Sequence, residues 1–250
     1  MKLAIISYSF ERESFEKVKA QGLDFVEFCV NCDQENRFQE FYDKSEGIRR
    51  DLDELGLSTG SVGRWGDKIN PDGSVHQEEL HADQTLIQAA AKLGCPVYVT
   101  GCNYVEGLSL YENYSAAIGY FQALIDFAKP YGIKIATYNC RWNNYVHSDP
   151  AWEVIHGHLP ELYIKYDPSH CRYAMGADYL SEMKKWGKRF AHVHIKGSLI
   201  IDGERFDDPP AGLDDTNWGA FMAGTCRLSR IPPSGKRVNW GMPACPIPLK

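Results

Sequence analysis

The chain lacks any long apolar run. Nothing in its 250 residues approaches the roughly 18 consecutive apolar residues of a membrane span, so no spanning helix is expected. The opening stretch MKLAIISYSF is too short for a signal-peptide core and has no small-residue cleavage site, so a cytoplasmic protein is expected. A basic stripe is also missing. With 33 acidic and 27 basic residues the formal charge is −6, which argues against a nucleic-acid duplex as partner and leaves small anionic substrates open. No G-x-G-x-x-G follows the first β-rich run, which weakens a dinucleotide-binding open sheet. Cys29 and Cys32 form a C-x-x-C without a second copy, and it follows a strand instead of opening a helix. Neither a zinc ribbon nor a redox pair is therefore expected, and the eight cysteines read as free thiols.

What is present is alternation. Apolar residues make up 44% and charged residues 24%, enough for one sizeable core. Near-continuous β-rich runs fall at 2–8, 25–30, 58–63, 96–101, 134–139, 163–168 and 191–196, the signature of buried parallel strands. Helical patterns lie between them at 14–22, 46–56, 81–94, 114–132 and 178–187, each closing on or near a glycine. A seventh helix starts at Asn217–Trp218. Repeated strand–helix units in a chain of this length predict an α/β fold of the (β/α)8 TIM-barrel type. The barrel is assigned to residues 1–223. Residues 224–250 are rich in Pro, Cys and Arg and show no strand period, so the eighth strand is expected to be missing.

In such a barrel the chemistry sits at the C-terminal strand ends. The sixth run ends in YDPSH, placing Asp167 and His170 on either side of a proline-fixed turn. The seventh reads HVHIKG. His192 and His194 share one side of that strand, facing either the lumen or the helix layer, and Lys196 continues it. Ordinary roles compete with these: a turn-capping Asp, a satisfied buried His, a solvated Lys. Trp65, Trp142 and Tyr8 follow strands and could line a ligand pocket or simply pack loops. His76, His81, His147, His156 and His158 read as surface residues.

YDPSH, then HVHIKG, then a loop ending PAGLDDTNW resembles the xylose-isomerase-like barrel superfamily of sugar isomerases, epimerases and dehydratases. VEF in the second strand and IKIA in the fifth extend the resemblance to roughly residues 1–223. The resemblance implies a divalent metal ion (Mn, Mg, Co or Zn) with Asp167 and His194 as ligands. It implies catalytic or substrate-orienting roles for His170, Lys196 and Glu27. It also points to a substrate-binding region with Arg205, Trp65, Asn139 and Arg141. The implied substrate is a small sugar or sugar derivative. The implied reaction is proton transfer beside a carbonyl through an enediolate, and a keto-sugar or keto-inositol lyase uses the same logic. A non-catalytic sugar-binding barrel is the alternative from another class.

Two departures from the pattern bear on this. Tyr138 stands where the family carries a strand-five Glu, and a neutral phenol is a poor ligand for a hard cation. The tail is the other. Shifted by one base, with permitted codon choices, Leu228–Lys250 can be read as a segment resembling the family's eighth strand, its metal-ligand Glu and its closing helix. A frameshifted C-terminus is therefore expected, together with open strand edges that favour self-association.

Overall fold

The structure is a computed structural model and describes residues 3–33, 36–175 and 178–229. Strands and helices alternate: β1 (Ala4–Ser7), α1 (Arg12–Ala20), β2 (Phe25–Cys29), α2 (Arg37–Leu55), β3 (Ser58–Arg64), α3 (Gln77–Lys92), β4 (Val97–Thr100), α4 (Leu110–Ala128), β5 (Lys134–Tyr138), α5 (Asp149–His158), β6 (Tyr163–Tyr166), α6 (Pro168–Met175), α7 (Tyr179–Trp186) and β7 (Phe190–Val193). A hairpin, β8 (Leu199–Ile201) and β9 (Glu204–Asp207), and a last helix, α8 (Trp218–Ser229), complete them. The seven main strands form one sheet in the order β1 to β7, each parallel to the next.

The sheet is curled. Glu27 on β2 reaches His192 on β7 and His194 just beyond it, although β1 and β7 share no ladder. The fold is a (β/α)8-type barrel whose main sheet has seven strands among the described residues and no eighth. Strand alternation divides the interior into two layers. Val26, Phe28, Val62, Tyr98, Ile135, Ile164 and Tyr166 pack outward into the main core under the helices. Val97, Val99, Ala136 and Tyr138 form a smaller inner cluster, with Trp65, Tyr163 and Ala191 against it. Glu27, Lys165 and Asp167 fall on that inner side by the same alternation.

Local signals explain most elements. In α2, Phe41, Ser45, Ile48 and Leu52 recur at helical spacing and are all buried, so the helix starts well before residue 46, where the sequence pattern places it. Ser109 and Glu112 close a capping box at the start of α4. Gly22, Gly56, Gly94 and Gly132 take the left-handed conformation expected after helices, but Gly187 has φ −56° and continues into a 3-10 turn. The hairpin was not foreseen, although Asp202 and Gly203, both with positive φ, carry its Asp-Gly turn signal. The last helix runs past Ala223 to Ser229, so residues 224–229, expected to be irregular, are helical. The expectations for residues 230–250, including the shifted eighth strand, lie outside the described residues.

Candidate active site

The polar centre is built from the ends of β2 and β7. Glu27 is buried, 5% exposed, between Val26 and Phe28 of the main core. One carboxylate oxygen, Oε2, lies 3.1 Å from His192 Nε2 and 2.9 Å from His194 Nε2, and Oε1 lies 3.0 Å from His194 Nε2. A register slip in the β6–β7 ladder makes this possible. It passes over Ala191 and sets His192 opposite Lys165, which turns both histidines into the lumen.

Burial alone would raise the Glu27 carboxyl. The hydrogen bonds from His192 and His194 outweigh it and hold the group well below its usual value, so it is an anion at neutral pH. Burial lowers His194, and the nearby Lys165 charge lowers it further, so its imidazole is neutral. An anionic carboxylate and a neutral imidazole are the states a divalent ion needs. The three ligand atoms lie within 4.8 Å of one another, and a carboxylate with two imidazoles suits zinc and similar transition ions. This donor set fits a metal.

Asp167 and His170 sit one strand over. His194 N–H donates to the Tyr166 carbonyl at 2.8 Å, so the ends of β6 and β7 are adjacent. Asp167 Oδ1 accepts from Ser169 N–H (2.9 Å) and Ser169 Oγ (2.7 Å), and Oδ2 lies 3.6 Å from His170 Nε2. Asn139 clamps the Asp167 backbone. Its Nδ2 donates to the Asp167 carbonyl at 2.8 Å and its Oδ1 accepts from the Asp167 N–H at 2.9 Å. Burial lowers His170 to about 4 against the opposing pull of Asp167, and the charges of Lys165 and Lys196 lower it further. It too is a neutral imidazole.

The remaining candidates divide between lumen and surface. Tyr138 is buried, stacks near Trp65 with ring centroids 5.1 Å apart and donates to the Trp142 carbonyl. Its ring crowds Gly101 so closely that a Cβ there would meet it at 2.5 Å. The strand-five position thus carries packing in place of a carboxylate. Lys196 Nζ pairs with Asp208 Oδ2 at 2.8 Å, and Arg205 from β9 shares that same aspartate. Arg141, Tyr8 and Trp142 are exposed.

One reading is overturned. His156, taken as a surface residue, is fully buried, with Nε2 3.0 Å from Thr137 Oγ1 and Nδ1 3.2 Å from the Leu162 carbonyl. Helical spacing places it on the face of α5 that also carries the buried Trp152 and Ile155. The sequence reading also missed Lys165, whose signal was a lysine inside an apolar run two residues before Asp167.

Fold and cluster together define a (β/α) barrel with a carboxylate–imidazole site at the C-terminal strand ends. The chain belongs to the xylose isomerase-like TIM barrel family, which matches residues 15–224. Its fold is similar to that of D-allulose 3-epimerase from Methylomonas sp. in complex with D-allulose (15% identity, 92% of this chain and 81% of that one, TM-score 0.71). It is equally similar to AsbF, the probable 3-DHS dehydratase of petrobactin synthesis from Bacillus anthracis (15% identity, 91% and 89%, TM-score 0.71). The IOLI protein with a bound zinc atom is a third such neighbour (17% identity, 91% and 85%, TM-score 0.70). No curated protein matches the chain at the level of sequence. No helix among the described residues is long and apolar enough to cross a membrane.

Proposed function

We propose that this protein is a sugar isomerase or epimerase that moves a proton beside a carbonyl, with residues 1–223 as the working barrel. The observation that carries the reading is the luminal cluster of Glu27, His192 and His194 beside Asp167 and His170. The first three, with Asp167 one strand away, are the groups available to hold a divalent ion. Such an ion would supply Lewis-acid polarisation of the substrate oxygens. The chain's own residues do the rest. His170, neutral at pH 7 and 3.6 Å from an Asp167 oxygen, is placed to accept and return the proton. Ser169 and Asn139 fix Asp167, so the pair is held before substrate arrives. Lys196 and Arg205, gathered on Asp208, are placed to orient the substrate, and Trp65 offers an aromatic face for its C–H groups.

Elimination from a keto-sugar would begin with the same proton abstraction, and the fold likeness to AsbF keeps that reaction as the second reading. The test is proton exchange. The protein, supplied with zinc or manganese, is incubated in D2O with a panel of ketoses including D-fructose and D-allulose. Deuterium entering the carbon beside the carbonyl, and its loss in His170→Asn, is the expected result. Sugar binding without exchange in any member of the panel would point instead to a non-catalytic barrel, consistent with Tyr138 at the strand-five position.

A further inference from the structure

Lys165 lies in the middle of β6, between Ile164 and Tyr166, which both pack outward into the main core. Its own side chain shares the inner face with Tyr163 and Asp167. It is 4% exposed, yet among the described residues it donates no hydrogen bond and forms no ion pair. Its Nζ is not among the sealed unpartnered side-chain atoms, so the stem is buried while the ammonium opens to the lumen, whereas buried lysines are almost always paired. The other deeply buried cations here obey that rule. Lys68 pairs with Asp83 and Glu79, and Arg64 pairs with Glu79.

The carboxylates that could serve Lys165 are otherwise engaged. Glu27 faces His192 and His194, while Asp167 gives one oxygen to Ser169 and turns the other toward His170. Lys165 stands in register with His192 across the β6–β7 ladder, beside the polar cluster, and its charge acts on His194, His170 and Cys29. Ser61 of β3 adds a second observation. It is fully buried, its hydroxyl lacks a partner among the described residues, and it lies in register with Glu27. The lumen therefore holds two donors without an acceptor, the Lys165 ammonium and the Ser61 hydroxyl. A ligand that completes it must bring acceptor oxygens, one of them anionic. With Lys196 and Arg205 paired to Asp208, the one cation of Lys165 matches the single charge of a carboxylate better than the roughly −1.5 to −2 of a phosphate.

We propose that Lys165 is the anion-recognising residue of this site and that the substrate is a carboxylate-bearing sugar, a keto or hydroxy sugar acid. The proposal rests on the lumen being the site, and it narrows the substrate class beyond a neutral ketose. Its test is calorimetric binding to the zinc-supplied full chain, comparing D-glucuronate with D-glucose, which differ only in the carboxylate. D-Glucuronate is expected to bind at least about tenfold tighter. That preference should vanish in Lys165→Met and persist in part in Lys165→Arg. Because Lys165→Met keeps an apolar stem of similar length and breaks no ion pair or hydrogen bond, it should melt no lower than the parent, which separates lost recognition from lost folding.

Equal affinity for the two sugars, binding of neither, a preference that survives in Lys165→Met, or tighter binding of glucose 6-phosphate than of D-glucuronate would overturn the assignment. Deuterium exchange into D-fructose at least as fast as into its carboxylate counterpart D-fructuronate would also overturn it while leaving the proposed reaction standing. Carboxylate-dependent binding without exchange in any sugar would uphold the assignment and remove the reaction.

Discussion

Asp83 offers the sharpest test of what holds the lumen in place. It is fully buried on α3 and accepts three hydrogen bonds: from Lys68 Nζ at 2.9 Å, Tyr98 OH at 2.7 Å and Tyr120 OH at 2.5 Å. The network ties α3 and α4 to β4, opposite the strand face that carries Val97 and Val99 of the inner layer. Replacing Asp83 by Ala leaves the Lys68 ammonium with Glu79 alone and Tyr98 OH without an acceptor, while Tyr120 OH keeps Thr100 Oγ1 at 3.2 Å. Breaking a buried pair from one side costs about 3–5 kcal/mol. The orphaned Tyr98 hydroxyl adds about 1–3 kcal/mol before relaxation, though the terms do not sum fully. A loss of about 4–6 kcal/mol corresponds to a fall in Tm of about 10–20 °C for a chain of this size. The companion variant removes both charges: Asp83→Leu with Lys68→Met keeps the volume and leaves the Arg64–Glu79 pair intact. It should recover about half the loss or more, because an apolar replacement of a buried pair is often near neutral. The assay is urea denaturation followed by tryptophan fluorescence and far-ultraviolet circular dichroism. A loss under about 1 kcal/mol for Asp83→Ala, or a double variant no more stable than the single one, would refute the reasoning.

Three further predictions use other parts of the structure. Burial lowers His156 to about 3, so its neutral form is the folded one, and protonation of the unfolded chain below about pH 6.5 works against folding. Stability should fall by about 1.4 kcal/mol per pH unit from this group between pH 6.5 and the low folded value; His156→Gln should flatten that part of the stability–pH curve, and an unchanged slope would refute the assignment. Asn139→Ala leaves the Asp167 N–H and carbonyl without partners, so it should cost about 1–3 kcal/mol and weaken zinc binding by calorimetry; unaltered stability and metal affinity would refute the clamp. The exposed edge at β1, where Leu3 and Ile5 are about half exposed beside a groove of about 400 Å³ lined by Ser7, Tyr8 and Val18, should drive self-association. Ile5→Lys should shift the protein toward monomer in sedimentation velocity, and a parent already monomeric at high concentration would contradict this.

The sequence by itself determined the strand–helix alternation, because buried parallel strands need near-continuous apolar runs and the helices carry their own end signals. It also brought out Asp167, His170 and His194, because they stand at strand ends in a pattern that local spacing preserves. What it left open was which side chains meet. Glu27 and the two histidines are far apart in the chain and come together only because the sheet curls and a register slip turns β7. His156 looked like a surface residue because its burial depends on how α5 packs against β5 and on where Arg189 and Leu162 fall. Lys165 looked like one charge in an apolar strand. Its meaning depends on both neighbouring carboxylates being engaged elsewhere, which is a property of the assembled lumen and not of any segment.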